Sequence, residues 1–166
     1  MFTKGNFSIN LGFVTLGGEL DDSDRQIAWA LFTEIATRVA VSGHPGKPDI
    51  FDGELYVDSL NSLYAFLVEA RGLMRQFPVT SLRRREKSNH LGVLIFRMIR
   101  DVLRPFLEKW HVSYRFWWEA KSEVDFHPLE RQSEYPKLKE MLSDWKHVRQ
   151  IMQKIQSEIQ DAYKLV

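Results

Sequence analysis

"PKLKEMLSDWKHVRQIMQKIQSEIQDAYKLV", residues 136–166, carries the strongest pattern in the chain. Leu138, Met141, Trp145, Val148, Met152, Ile155, Ile159, Ala162 and Val166 recur at alternating steps of three and four. Side chains so spaced lie above one another on one helix face, so the segment reads as an amphipathic helix from Pro136 onward. About 30 residues at 1.5 Å each make it on the order of 45 Å long. Such a stripe must be buried against other elements, and three further segments have matching faces.

Tyr56, Leu60, Leu63, Leu67, Ala70, Met74 and Phe77 step by 4-3-4-3-4-3, a heptad seam. It predicts a helix from about Asp52 to Phe77, ended by Pro78. An earlier helix starts at "SDRQ", Ser23–Gln26, where the Ser and Gln side chains form a capping box. Ile27, Leu31 and Ile35, flanked by Ala28, Phe32 and Ala36, carry it to about Val41. The glycines and prolines of "SGHPGKPD" at 42–49 then stop it. The third segment is "RRREKSNHLGVLIFRMIRDVLRPFLEKWH", Arg83–His111. Its helix starts near Ser88 or Asn89 and buries Leu91, Leu94, Ile95, Met98, Val102 and Phe106. Pro105 interrupts this pattern at a cost of about 3 kcal/mol in an undisturbed helix. A kink or break is expected around Asp101–Arg104, followed by helix to about Lys121. Residues 122–135 read as a linker with one helical turn.

Near the start, Phe7, Ile9 and Leu11 alternate with Ser8 and Asn10, the period of a half-buried strand. The expected fold is therefore mainly all-α: an antiparallel bundle of four long helices, the third kinked or broken near Pro105. A short extended or β-hairpin arm over residues 1–20 precedes the bundle of 21–166, in one domain.

Composition narrows the function. The 166 residues carry 23 Lys+Arg against 22 Asp+Glu, a net charge of +1, where a protein coating itself in nucleic acid would be more basic. There is no cysteine, which excludes thiol catalysis and cysteine-held metals and fits a reducing compartment. The first residues lack the apolar run of a signal peptide, and no window is apolar enough to span a bilayer. The expectation is a cytoplasmic protein with no membrane partner. The glycines show neither a dinucleotide-binding nor a phosphate-loop spacing, and no nucleophile elbow is present. No cofactor is expected.

Four constellations have residue types that could carry chemistry. Arg85 and His90, with four residues between them, give the pattern Arg-x(4–6)-His. This resembles the motif of HEPN domains, helical bundles that often cut RNA. The resemblance implies that Arg85 stabilises an RNA phosphate and His90 acts as acid or base. The family usually places Asn, His or Asp after the Arg, whereas this chain has Glu86. The same spacing recurs at Arg38/His44 and Arg104/His111.

A second constellation is basic: Arg97, Arg100 and Arg104 along one helix, close in sequence to Arg83, Arg84 and Arg85, suit a phosphate backbone. Against it, Asp101 is spaced to pair with both Arg97 and Arg104. Third, Glu108-x-x-His111 and Asp144-x-x-His147 have the carboxylate–histidine spacing of di-iron bundles. His147 falls off the apolar seam, however, and a zinc set of Asp125, His127 and Glu130 needs ligands from elsewhere. No metal is expected. Fourth, Tyr114, Phe116, Trp117 and Trp118 are too closely spaced to share one core-facing stripe, so some must meet solvent, a covering loop or a partner.

With long seams, many aromatics and no coherent catalytic set, the sequence favours a non-catalytic protein-interaction or adaptor module. Its partner is another protein or a second copy, met through Tyr114, Phe116, Trp117 and Trp118. The alternatives are a HEPN-like ribonuclease using Arg85 and His90, and a nucleic-acid binder using the arginine stripe.

Overall fold

The structure is a computed structural model that describes residues 6–10, 15–19, 22–77, 91–120 and 122–166. Side chains of residues 1–23 lie outside that description, and with them the expected Ser23 cap and the alternation of Phe7, Ile9 and Leu11. The helix starts proposed at Ser88 and Asn89 also lie outside it.

Strands β1 (Asn6–Asn10) and β2 (Thr15–Glu19) pair antiparallel, Ile9 opposite Leu16. The other described elements are helices joined by turns and loops, packed in a manner consistent with a bundle. The helices are α1 (Asp22–Ala36), α2 (Val39–Ser42), α3 (Tyr56–Met74), α4 (Leu91–Arg97), α5 (Arg104–Glu119), α6 (Pro128–Ser133) and α7 (Leu138–Tyr163). A π-helical segment, Met98–Leu103, joins α4 to α5.

The apolar seams become the core. Tyr56, Leu60, Leu63, Leu67 and Ala70 of α3 are buried, as are Met141, Trp145, Val148, Met152, Ile155 and Ile159 of α7. Val166, the last member of the α7 pattern, is 86% exposed. The start of α1 meets the end of α7, where Arg25 donates to the Lys164 carbonyl at 3.4 Å. Further along, the indole of Trp145 donates to the Ala40 carbonyl at 2.7 Å. Similarly, the start of α3 meets the end of α5 through the Tyr56 and Tyr114 rings, 6.4 Å apart.

Two helix boundaries depart from the sequence reading for visible reasons, and a third feature matches it. The first helix does not run unbroken to Val41: it ends at Ala36, and Arg38 is extended (φ −108°, ψ 104°) before α2. The Thr37 hydroxyl donates to the Thr33 carbonyl at 2.6 Å beside the backbone bond to the same oxygen, a back-bonding that bends helices. The second helix starts at Tyr56 rather than Asp52, because Gly53 turns the chain at φ +78° and sends Glu54 inward. Its first turn is capped from outside: the Tyr56 N–H donates to the Gln132 side chain at 2.9 Å. Gln132 in turn donates to the Glu54 carbonyl at 2.8 Å. The irregularity expected around Asp101–Arg104 is present, as the π-helical segment ahead of a helix that holds Pro105 in its first turn. The Arg104 N–H reaches back five residues to Ile99 O, and the wider π turn places Pro105 in the first turn of α5. There its missing N–H costs little.

One charged pair sits inside this apolar frame. Arg149 of α7 is fully buried, and its Nη2 lies 2.7 Å from both Glu54 carboxylate oxygens. The guanidinium also donates to Ile50 O at 3.0 Å and lies over the Phe51 ring at 4.0 Å. Burial pulls its pKa below the ordinary arginine value, against the raising effect of Glu54. The cation and anion are thus held by each other and by carbonyls, as burying charge demands.

Removing one partner strands the other. Arg149→Met is expected to cost about 3–5 kcal/mol, and Arg149→Met with Glu54→Leu to recover most of it, in a urea-denaturation double-mutant cycle. Gly43 (φ +68°, ψ −167°) packs against the same arginine, and a Cβ there would lie 3.1 Å from Arg149 Cδ. In the same assay Gly43→Ala is expected to cost about 1–3 kcal/mol, from strain in a glycine-only conformation plus that contact.

Candidate interaction surface

Helix α5 carries Arg104, Glu108, His111 and the four aromatics singled out by sequence. Its buried face carries Phe106, Leu107, Trp110 and Tyr114. Two edges are closed by neighbouring helices. On one, Lys109 Nζ pairs with Glu140 at 2.8 Å and Asp144 at 2.9 Å, and the Trp110 indole donates to Asp144 at 2.9 Å. Burial pushes the Asp144 carboxyl up, but hydrogen bonds from Lys109 and Trp110 hold it below the usual carboxylate range. On the other edge, His111 stacks on Tyr64 of α3 at 5.3 Å, and its Nε2 lies 3.0 Å from Asn61 Oδ1.

What remains of α5 faces outward. Val112 is 61% exposed and Phe116, one turn on, is 79% exposed. Of the four aromatics expected at a partner interface, Phe116 alone is strongly exposed. Tyr114 is a core residue instead: it packs edge-on to Tyr135 at 5.0 Å and against Trp118 at 6.2 Å. Its hydroxyl is buried with no hydrogen-bond partner, and burial pushes its pKa up. Trp117 and Trp118 are half-buried. Arg131 of α6 lies over them at 5.7 and 5.0 Å, and Tyr135 packs on Trp117 at 5.1 Å. The segment read as a linker is therefore their cover. Val124, Phe126 and Leu129 of that segment are themselves exposed.

The arginine stripe is internally compensated. Arg97 and Arg100 both meet Asp101, at 3.3 and 2.6 Å, and the Arg100 hydrogen bond holds the Asp101 carboxyl below its usual range. Arg104 does not join them, contrary to the expected spacing, but pairs with Glu108 at 2.7 Å. The π turn between Asp101 and Arg104 removes their α-helical i,i+3 stacking.

Arg83, Arg84, Arg85 and His90 lie outside the described residues. In the other Arg–His matches, Arg38 is engaged by Glu34 at 2.7 Å, and Arg104 by Glu108. His127 Nδ1 caps α6 by accepting from the Leu129 N–H at 3.3 Å. Among the described residues no group of three or more His, Asp or Glu is placed to hold a metal, and no helix is long and apolar enough to cross a membrane. A cleft of about 380 Å³ lined by Arg25, Gln26, Trp29 and Lys164–Val166 gathers no acid–base pair.

Sequence reasoning missed Val112, whose polar neighbours hid it, and the inward Arg149–Glu54 pair. Arg149 did leave a signal, a cation one turn after Trp145 and next to Val148 of the seam. Comparison of the chain with family models, curated proteins and solved structures returns no match.

The His111 contacts generate a pH dependence. Burial, and then the nearby Arg115, lower its pKa from the ordinary 6.5. The unfolded chain therefore takes up this proton first on acidification, so His111 contributes stability above its unfolded pKa that is lost as pH falls. The urea midpoint is expected to drop between pH about 7.5 and about 5.5, and His111→Gln to flatten that slope.

Proposed function

We propose that the chain is a non-catalytic protein-interaction module. An antiparallel bundle of four long helices, residues 21–166, serves as a rigid scaffold, with the arm of 1–20 beside it. The supporting observation is the pair Val112 and Phe116, 61% and 79% exposed on the outward face of α5. A large apolar side chain held on a rigid helix loses little entropy on docking, which suits it as an anchor. Trp117 and Trp118 brace this end of the helix from beneath, and exposed Val124, Phe126 and Leu129 belong to the segment that packs over them. The partner on this reading is another protein or a second copy, and the cysteine-free composition suits the cytoplasm.

Nucleic-acid binding through Arg97, Arg100 and Arg104 has less support, since carboxylates already engage each guanidinium. The Arg85/His90 ribonuclease reading rests on the sequence pattern alone.

A tagged chain separates the three. The expected result is a retained polypeptide, with a protein-only ratio of absorbance at 260 and 280 nm, lost in Val112→Asp/Phe116→Asp. Arg97→Ala/Arg100→Ala/Arg104→Ala and Arg85→Ala/His90→Ala are expected to retain it. Co-eluting nucleic acid that salt strips, and that the triple arginine variant loses, would overturn the proposal.

A further inference from the structure

The outward face of α5 is ordered in charge as well as apolar. At 3.6 residues per turn, Arg104, Glu108, Arg115 and Glu119 fall in one row within about 60° of arc, with Val112 and Phe116 alongside. All four charged side chains are at least half exposed: 63% and 63% for the first pair, 51% and 68% for the second. Within the chain they pair one turn apart, Arg104 with Glu108 at 2.7 Å and Arg115 with Glu119 at 3.9 Å. Lys109, on the far side of the apolar residues, is occupied by α7.

We infer that this face docks onto a second copy of the chain, α5 against α5, about a two-fold axis passing between residues 111 and 112. The inference rests on the interaction-module reading and names its partner. A two-fold axis perpendicular to a helix pair brings the same edge of each helix together, in reversed order. Arg104 then faces Glu119 of the partner subunit, and Glu108 faces Arg115 of the partner subunit. The symmetry repeats both pairs, so four cross-helix ion pairs flank the apolar contact. Val112 sits at the axis, and Phe116 lies along the exposed Pro105 and the Lys109 stem of the partner subunit.

The row also argues against the alternatives. Parallel helices bring opposite edges together, so the row would face the partner's far edge and none of the four ion pairs would form. A slip of four residues one way opposes Arg104 to Arg115 of the partner subunit; the other way it opposes Glu108 to Glu119 of the partner subunit. Like charges so placed penalise the wrong register as e and g positions do in coiled coils. The contact is one short helix pair with few large apolar groups, so a weak dimer is expected, with Kd on the order of 10–100 µM.

Sedimentation of the purified, untagged chain over a concentration series tests this. The wild type is expected to rise from the one-chain toward the two-chain mass, less so at high salt. Glu108→Arg/Glu119→Arg makes the row all positive, and Arg104→Glu/Arg115→Glu makes it all negative. Each variant alone is expected to stay monomeric, and an equimolar mixture of the two to recover the two-chain mass. All four positions are exposed, so circular dichroism of both variants should match the wild type. A wild type that remains a monomer, a variant that dimerises alone, or a mixture that stays monomeric overturns the self-pairing. If the tagged chain still captures a different polypeptide through Phe116, only the self-pairing fails. If Phe116 captures nothing either, the interaction reading falls with it.

Discussion

The Arg149–Glu54 pair is the constraint around which the connections of this molecule are arranged. A guanidinium with no exposed surface must be matched on every side by acceptors or rings. Two carboxylate oxygens, the carbonyls of Ile50 and Ala40, and the faces of Phe51 and Trp145 do this. Those partners come from α2, from the 50–54 turn and from α7, so the pair ties three segments distant in sequence to one point. A buried pair of this kind need not stabilise more than an apolar replacement would. Its contribution here is to make any other seating of α7 leave a charge unpaired.

Much of the irregular backbone follows from that requirement. Short α2, interrupted from α1 at Thr37–Arg38, presents the Ala40 carbonyl to Trp145 and Arg149. Gly43 keeps the chain close to the arginine where a Cβ would crowd it. The turn at Gly53 swings Glu54 inward, where Ser59 also donates to it at 2.9 Å. The segments that interrupt the helices after α1 and before α3 both bring acceptors to this one buried cation.

A second cation, the half-buried Arg131, organises the aromatics at the end of α5. Arg131 covers Trp117 and Trp118 and donates to the carbonyls of Trp117 and Ala120. With Tyr135 it turns a stretch of irregular chain into a lid on the end of α5. That lid separates the residues of "YRFWWEA" into a buried Tyr114, braced tryptophans and a free Phe116. The π segment has a comparable sorting effect upstream. It lets the helix pass Pro105 and directs Arg104 to Glu108 instead of Asp101, which places Arg104 in the outward charge row.

Helical class, the long seams and the buried faces of α3 and α7 were legible in the chain, because three-and-four spacing of apolar residues is a local property that needs no knowledge of neighbours. That the helix must be irregular before Pro105 could be read, and the π form of the irregularity could not, since a π turn depends on how the flanking helix is packed. That Tyr114, Phe116, Trp117 and Trp118 could not share a face was likewise local. Which of them reaches solvent was decided by Arg131 and Tyr135, contributed by a segment without periodicity. Arg149 shows the division most clearly. In sequence it is a charge beside an apolar seam, one turn after Trp145, with nothing to name its partner. Only the tertiary structure brings Glu54, Ile50 and Ala40 to it, because burying a charge depends on partners that sequence spacing does not encode.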